Sequence, residues 1–358
     1  MFMNERDGEH RSSIETIVLV QISRIASVNR SVICPRIFDL QAIWLNPSTT
    51  GERPPPIPGT VPGYSADLGM IAALQLDDDS VILLPQEYIH DPDDSPDASW
   101  RGEHGARRCW QTTVIYEEQI SESHPHLVPY LRRDPWTAFP VLAKPSGPPV
   151  TDFIQQNKAA MYSAPLDAAS SRILASYRPL MFQWALHIIS ALSFIHAHNI
   201  IFGDLSLEDC WLSSDSRLSL SLVGFVSAGF RRRTNGVWYH CTRSSGEWFH
   251  PLEHQSQQSI QTDLFLYGCV VYELMTGFWP GDRTGKSWQE VSMMIPRREW
   301  PPLEIEHMGE IVRKCWEGGF ADAEQLKMEV VVFLEGLGWS IEGNDDLKGF
   351  DVAHLSFN

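Results

Sequence analysis

Two aspartates five residues apart, Asp204 and Asp209, are the residues whose type and spacing most clearly indicate chemistry. They follow a long apolar stretch that ends in two branched residues, Ile200 and Ile201. A carboxylate in a short loop can act as a base, and a second oxygen ligand a few residues later can hold a divalent cation beside it. This arrangement is typical of phosphoryl-transfer sites, with Asp204 as the candidate base and Asp209 as the candidate metal ligand.

A second candidate site is the run His250 to His254, which reads His-Pro-Leu-Glu-His. It matches the pattern H-x-x-E-H, in which two histidines of a helix bind zinc and the glutamate acts as a base. Pro251 fits a helix only in its first turn, and five residues form a weak signal. A zinc peptidase therefore stays an alternative to phosphoryl transfer.

Apolar periodicity predicts the elements that must position these residues. Apolar positions recur at three- and four-residue steps from Leu180 to Ile195, and Leu264 to Met275 is almost continuously apolar. Both stretches predict buried helices. Two shorter apolar runs, Met70 to Leu76 and Val81 to Leu84, flank a polar turn and predict a β-hairpin.

Two stretches are expected to be loops. Residues 47–63 contain six prolines, which lack a backbone N–H and resist both helix and central strand. Residues 90–106 are acidic and contain two prolines and two glycines, and this composition indicates an exposed loop.

The overall charge excludes some classes of partner. The 358 residues carry 28 basic and 45 acidic side chains, which gives a net charge of −17. A field of that sign repels phosphate backbones and anionic lipid headgroups. We therefore expect neither a nucleic acid nor a membrane surface as a partner.

Cysteine usage and the N-terminus bear on the compartment. The six cysteines lie far apart without a C-x-x-C pair, so they indicate neither a zinc framework nor a disulfide scaffold. The first residues lack the basic and apolar segments of a secretory signal. We expect an intracellular protein, cytoplasmic or nuclear, with reduced thiols.

The residues around Asp204 resemble the catalytic loop of the eukaryotic protein kinase superfamily, which reads H-R-D-L-x-x-x-N. Phe202, Gly203 and Asp204 fall on its first three positions, and Asp209 falls on the asparagine. Other stretches resemble the family in the family's own order: His124 to Val128, Phe139 to Val150, Pro251 to Glu253, Thr262 to Pro280 and Cys315-Trp316. The order and spacing of these motifs carry the resemblance over about residues 63–335.

The resemblance implies an α+β fold with two lobes, a small β-rich N-lobe and a larger helical C-lobe. The N-lobe is expected over residues 63–143 and the C-lobe over residues 144–340. Residues 1–62 stay unassigned as an N-terminal extension with a proline-rich linker. Residues 341–358 are expected to be a polar C-terminal tail.

Two charged positions of the family are apolar in this sequence. Leu83 falls where the third strand of the family carries the lysine that anchors the nucleotide, and the first lysine anywhere in the chain is Lys144. Leu222 falls eighteen residues after Asp204, where the family has the metal-binding aspartate of Asp-Phe-Gly. A leucine cannot coordinate magnesium, so Leu222 marks a lost ligand.

Other charged residues of the N-lobe offer substitutes for the missing charges. The glutamate that pairs with the lysine in the family falls near Thr112, while Glu117-Glu118 lie one turn later. Three arginines could bring a cation to the site in place of the lysine: Arg101, Arg107 or Arg108.

Further expectations rest on the same resemblance. The glycine loop over the nucleotide is reduced to Gly63 and Gly69. Asp263 is expected to accept hydrogen bonds from the backbone of the catalytic loop, and Glu253 belongs to the Ala-Pro-Glu position that ends the activation segment. The basic run Arg231 to Arg233 in that segment is either a solvated charge run or a docking point for an acidic partner.

Together these departures predict a pseudokinase, a binding, scaffolding or regulatory module that acts on a protein partner. The alternative is a weak or atypical ATP-dependent serine/threonine kinase, in which Asp204 is the base and Asp209 holds the magnesium of Mg-ATP. A small-molecule kinase with a His-Gly-Asp-Leu loop is a further alternative, although Thr262 to Pro280 favours the protein kinases.

Overall fold

The structure is a computed structural model that describes residues 65–68, 71–85, 96–167, 170–239, 258–281, 290, 293–294 and 297–357. Several predicted features lie outside these residues: the N-terminal extension 1–62, Gly63, Gly69, Glu253 and the run His250 to His254.

An antiparallel sheet of five strands forms the first part of the described chain, in the order β1-β2-β3-β5-β4. Its strands are β1 (Ser65–Leu68), β2 (Ile71–Gln75), β3 (Ser80–Pro85), β4 (Tyr130–Arg133) and β5 (Pro140–Ala143). The predicted hairpin is confirmed, since β2 pairs with β3 and the Leu76 N–H donates to the Ser80 carbonyl at 2.9 Å.

One long helix, α1 (Pro96–Val114), packs against β3 and continues as a π-helical turn over Ile115–Gln119. The predicted loop over 90–106 is therefore wrong from residue 96 onward. Proline is tolerated in the first turn of a helix, and packing on a sheet stabilises helices whose own composition is unfavourable.

The second lobe is helical. Within the described residues its α-helices are α2 (Val150–Met161), α3 (Arg178–Ala197), α4 (Ile260–Thr276), α5 (Gly309–Glu317) and α6 (Ala323–Gly336). The two predicted buried helices are confirmed as α3 and α4. The C-terminal end of α4 lies at Gly277, whose φ of +77° suits a residue without a Cβ.

By length and composition alone, α3 could cross a membrane, but most of it is buried inside the fold. Core helices of soluble proteins have the same composition. Its apolar side chains belong to the large hydrophobic core of this lobe, together with those of α4, α5 and α6.

Short strands connect the helices of the second lobe. They are β6 (Ile200–Ile201), β7 (Cys210–Leu212), β8 (Leu220–Leu222), β9 (Gly229–Arg231) and β10 (Trp238–Tyr239). β7 pairs with β8, and β9 lies between β6 and β10. These strands hold the loops that carry Asp204 and Asp209.

The residues predicted as a tail are instead packed on the C-lobe. β11 (Ile341–Glu342) and β12 (Asp346–Leu347) form a hairpin, and β12 contacts α3. The Val352 N–H donates to the Ser216 carbonyl at 2.9 Å, and the Phe357 ring packs on Phe153. The described chain thus has the α+β, two-lobed architecture that the resemblance implies.

Candidate active site

Asp263 of α4 fixes the loop that carries Asp204. The Asp263 carboxylate is fully buried and accepts hydrogen bonds from the backbone N–H groups of Phe202 and Gly203, both at 2.7 Å. His196 Nε2 lies 2.8 Å from the same carboxylate. Buried backbone donors need such partners, and a charged acceptor makes the bonds strong. Asp263 therefore sets the path of the chain immediately before Asp204.

Asp209 lies at the end of a short 3₁₀ turn, Leu207–Asp209, with its carboxyl group buried. The backbone N–H and the hydroxyl of Ser206 both donate to Asp209 Oδ2 at 3.0 Å. Burial and the nearby Asp204 carboxylate raise the pKa of Asp209 to about 8. This carboxyl group therefore holds its proton more strongly than an ordinary aspartate does.

A cation of the protein itself lies near these two carboxyl groups. Arg108 of α1 is only 3% exposed. Burial lowers the pKa of its guanidinium group, while Asp204 and Asp209 oppose that effect through their negative charge. Of the three arginines named from the sequence, Arg107 is exposed and Arg108 faces the site.

Leu83 is fully buried in the apolar core of the N-lobe and lies beside Gly224. A Cβ placed on Gly224 would be 3.2 Å from Leu83 Cδ1. Gly224 has a φ of +64° and directly follows the end of β8 and Val223. The position of the family's lysine therefore faces a glycine across an apolar contact.

This geometry shifts the predicted Asp-Phe-Gly register by two residues. Leu222 lies inside β8, where its N–H donates to the His126 carbonyl at 2.9 Å and its side chain is buried in the C-lobe core. The Phe225 ring packs 5.0 Å from Tyr116 and 6.1 Å from Phe202, between the N-lobe helix and the catalytic loop. Gly224-Phe225 thus takes the place that Leu222-Val223 was expected to hold.

The turn between β7 and β8 accounts for the difference of two residues. The count of eighteen residues assumes a fixed length for this turn, and turn length varies among related proteins. The expected loss of a metal ligand is unchanged, because neither glycine nor leucine has a side chain that can bind a metal ion.

Thr112 and Glu117, which the sequence placed near the missing lysine, form hydrogen bonds with other partners. Thr112, at the predicted glutamate position, accepts a hydrogen bond from the Phe225 N–H at 3.2 Å. Glu117 instead accepts from the Tyr130 hydroxyl at 2.6 Å and pairs with Arg133 on β4.

The other glutamate of this turn, Glu118, binds the start of the activation segment. It pairs with Arg232 and accepts a hydrogen bond from the Thr234 hydroxyl at 3.1 Å. Arg231 Nε donates to the Gly236 carbonyl at 3.0 Å within the β9–β10 hairpin. Two arginines of the predicted basic run therefore form bonds within the chain, and neither contact involves Arg233, which is exposed like Arg231.

Active kinases bind ATP with magnesium, and the residues present here do not fit that pair in the family's manner. Leu83 offers no charge for a phosphate, and Gly224 offers no ligand for a metal. The remaining candidate ligand, Asp209, is buried and hydrogen-bonded to Ser206. Among the residues that the structure describes, no three His, Cys, Asp or Glu side chains cluster as a metal site.

Sequence reasoning missed one column of aromatic rings that joins the lobes. Tyr130 of β4 stacks on Tyr116 at 5.2 Å, and Tyr116 contacts Phe225, which contacts Phe202. Tyr116 lies four residues after Thr112, one helical turn along the same face. That spacing is the signal that could have identified it.

Comparison with known proteins agrees with this geometry. The family model described as protein tyrosine and serine/threonine kinase matches residues 145–327, about half of the chain. A tyrosine-protein kinase receptor, svh-2 of Caenorhabditis elegans, is 22% identical over 44% of this chain and 16% of its own length. The serine/threonine-protein kinase STY46 of Arabidopsis thaliana is 28% identical over 39% of this chain and 24% of its own length.

A third relative is the mitogen-activated protein kinase 12 of Oryza sativa subsp. japonica, which is 27% identical over 29% of this chain and 19% of its own length. The matched part thus covers between about a sixth and a quarter of the length of these three relatives. With the matched family model, the loop held by Asp263 and the two-lobed fold, the chain belongs to the eukaryotic protein kinase superfamily.

Proposed function

We propose that this chain is a pseudokinase, a kinase-shaped binding or regulatory module that does not transfer phosphate. The observation that carries the proposal is the contact between Leu83 and Gly224, which puts two uncharged residues where the family uses a lysine and an aspartate. Arg108 supports it, because a protein cation already lies near Asp204 and Asp209.

The size of the missing contributions supports the loss of catalysis. Phosphoryl transfer depends on positioning and on neutralising the charge of the phosphates, and a bound metal ion supplies several kcal/mol of that stabilisation. Each ~1.4 kcal/mol corresponds to a tenfold change in rate. Losing the lysine and a metal ligand together is expected to lower the rate by many orders of magnitude.

A protein partner inside the cell is part of the proposal. The cysteines at 109, 210, 269 and 315 are buried and free, which is consistent with a reducing compartment. The described part of the activation segment contains the β9–β10 hairpin, and Glu118 of the N-lobe helix binds this hairpin through Arg232. A hairpin that the chain itself holds in place can offer a preformed surface to a partner.

Thermal unfolding of the full chain tests the proposal, with ATP and ADP titrated in magnesium, in manganese and in EDTA. A ligand at ~100 times its dissociation constant adds ~2.7 kcal/mol to the stability of the state that binds it. The expected result is no metal-dependent shift at millimolar nucleotide. A shift that requires metal and disappears in Asp209→Ala would overturn the proposal and favour the weak kinase.

Arg108→Met is the matched variant for the protein cation. Methionine keeps most of the length of the side chain but removes the positive charge near Asp204 and Asp209. Magnesium alone is then expected to raise the melting temperature of the variant more than that of the wild type. Equal responses of both proteins would show that Arg108 does not take the place of a metal.

A further inference from the structure

One stretch of this acidic chain is entirely free of acidic side chains. Residues 216–246 contain five arginines and no aspartate or glutamate, and three of the arginines, Arg231 to Arg233, are consecutive. The chain as a whole has a net charge of −17. A local charge of the opposite sign attracts anionic groups to a surface that otherwise repels them. The β9–β10 hairpin lies in this stretch.

The two faces of the hairpin differ in burial. In the antiparallel pair, Phe230 lies opposite Tyr239, and Arg231 lies opposite Trp238. Residues directly opposite each other project to the same face. Phe230 is fully buried and its ring stacks on Tyr239 with the centroids 5.2 Å apart, so this pair faces the protein. Arg231 and Trp238 project from the outer face, and both are exposed.

The inner face fixes the hairpin on the N-lobe helix. The Tyr239 ring lies 5.7 Å from the Trp110 ring of α1, and the Arg232 guanidinium group lies 5.6 Å from that same ring. The turn is closed by two backbone bonds of 2.9 Å, from the Arg232 N–H to the Val237 carbonyl and from the Gly236 N–H to the Arg232 carbonyl. A surface that is already ordered costs less conformational entropy when it binds a partner.

The outer surface combines positive charge with apolar area. Its exposed residues are Arg231, Arg233, Val237 and Trp238, which we call the hairpin face. Val237 is 49% exposed and Trp238 is 40% exposed. Arg231 Nε donates to the Gly236 carbonyl at 3.0 Å, which fixes the direction of its guanidinium group. Arginine and tryptophan are the residue types that contribute most to binding at protein interfaces.

The chain's own contacts show which anion an arginine of this hairpin binds. On the inner side, Arg232 Nε donates to Glu118 Oε2 at 2.8 Å, and Arg232 Nη2 donates to Glu118 Oε1. Two parallel bonds between a guanidinium group and a carboxylate form the geometry that arginine matches best. Within the part of the chain that the structure describes, no carboxylate forms an ion pair with Arg231 or Arg233.

We propose that the hairpin face binds an acidic segment of a partner protein, with carboxylates on Arg231 and Arg233 and an apolar side chain against Val237 and Trp238. The inference rests on the proposed function, in which the chain acts through a protein partner, and it names the surface and its chemistry. A nucleic acid is the less favoured occupant, because a net charge of −17 repels a long phosphate backbone.

Fluorescence anisotropy of a labelled peptide with the full chain tests the proposal. The probe is fluorescein-labelled Glu-Glu-Leu-Glu-Glu, and the matched probe Gln-Gln-Leu-Gln-Gln lacks the charges. The glutamate peptide is expected to bind, more weakly as the ionic strength rises, and the glutamine peptide is not. The double variant Arg231→Gln and Arg233→Gln is expected to weaken binding at least about tenfold, and Trp238→Ala by a similar factor.

Arg297→Gln with Arg298→Gln is the matched control, because these two arginines are also exposed and the net charge changes by the same amount. The control is expected to bind the peptide as the wild type does. Melting temperatures verify that each variant is folded. Arg233→Gln alone keeps the test decisive if the loss of the Arg231 bond disturbs the hairpin, and it is expected to weaken binding severalfold.

Four outcomes would overturn the proposal. They are no binding of the glutamate peptide by the wild type, equal binding by the hairpin variant and the control, tighter binding of a single-stranded oligonucleotide than of the peptide, and a dimer in sedimentation that the hairpin variant abolishes. The last two would assign the hairpin face to a nucleic acid or to a second copy of the chain. Nucleotide binding and phosphate transfer are measured separately, so the failure of peptide binding leaves the test of the proposed function intact.

Discussion

Replacing Asp263 by alanine removes the carboxylate that binds two backbone N–H groups of the catalytic loop just before Asp204. Its carboxylate accepts from the N–H groups of Phe202 and Gly203 at 2.7 Å and lies 2.8 Å from His196 Nε2. All of these contacts are buried or nearly so. The variant therefore leaves two backbone donors without an acceptor and without access to water.

The magnitude follows from these two donors. A buried donor left without its acceptor costs ~1–3 kcal/mol, and the loss of a charged acceptor falls toward the upper end of that range. Two donors together give a loss of about 4 kcal/mol. At ~2–4 °C per kcal/mol for domains of this size, Asp263→Ala is expected to lower the melting temperature by about 10 °C.

Thermal unfolding followed by circular dichroism and urea unfolding at 25 °C measure this loss. Asp263→Asn should fall between the wild type and Asp263→Ala, because it keeps one accepting oxygen but no charge. Asp215→Ala is the matched control, since Asp215 is exposed and its carboxylate accepts from the Arg217 N–H in a surface turn. A melting temperature of Asp263→Ala within about 2 °C of the control would refute the reasoning.

Three further predictions concern the neighbouring positions. Gly224→Ala should lower the free energy of unfolding in urea by ~1–2 kcal/mol, because φ at this position is +64° and the new Cβ would lie 3.2 Å from Leu83 Cδ1. An unchanged free energy of unfolding would mean that the chain does not adopt this turn. The pKa of Asp209 is raised from 3.8 to about 8, so between these pH values the native state keeps a proton that the unfolded chain loses, and the stability should decrease as the pH rises. The melting temperature of Asp209→Asn should show less of this decrease with pH. An equal decrease in the variant would contradict a raised pKa at Asp209. Glu118→Gln breaks the ion pair with Arg232. Because this pair is partly exposed, the unfolding free energy should fall by less than ~1 kcal/mol, while hydrogen exchange of the β9–β10 hairpin should become faster. Unchanged exchange would show that the pair does not hold the hairpin.

Apolar periodicity predicted the parts of the fold that are buried on nearly all sides. The helices α3 and α4 were predictable because most of their residues are apolar and buried, so the pattern within each segment is enough to identify them. The N-terminal half of α1 was missed because its composition, with prolines and acidic residues before it, favours a loop. Packing on β3 stabilises the helix, and local propensity carries no information about that contact.

The candidate site was predictable where motifs fix residues at short range and less so where loops intervene. Asp204, Asp209 and Asp263 follow from the local patterns around them. The metal-binding position of Asp-Phe-Gly was predicted at Leu222 by counting residues from Asp204, whereas the residue beside Leu83 is Gly224. The motif does not encode the length of the turn that precedes this position. Between the neighbouring Arg107 and Arg108, only the phase of α1 decides which side chain is buried.

The C-terminal residues show a further limit. Their apolar content is low, and the pairs that fix them join residues more than a hundred positions apart, such as His187 with Asp346 and Ser190 with Asp345. Sequence patterns within a short window cannot reveal such contacts. These contacts form only in the folded chain, where α3 and the C-terminal hairpin lie side by side.

The measurement that most directly tests the central claim is transfer of the labelled terminal phosphate of ATP to the chain itself and to general protein substrates, in magnesium and in manganese. Wild type and Asp204→Asn are compared at equal concentration. The account predicts that both proteins give the same background, because Leu83 and Gly224 leave the phosphates and the metal without their charged partners. Incorporation by the wild type that disappears in Asp204→Asn would contradict it.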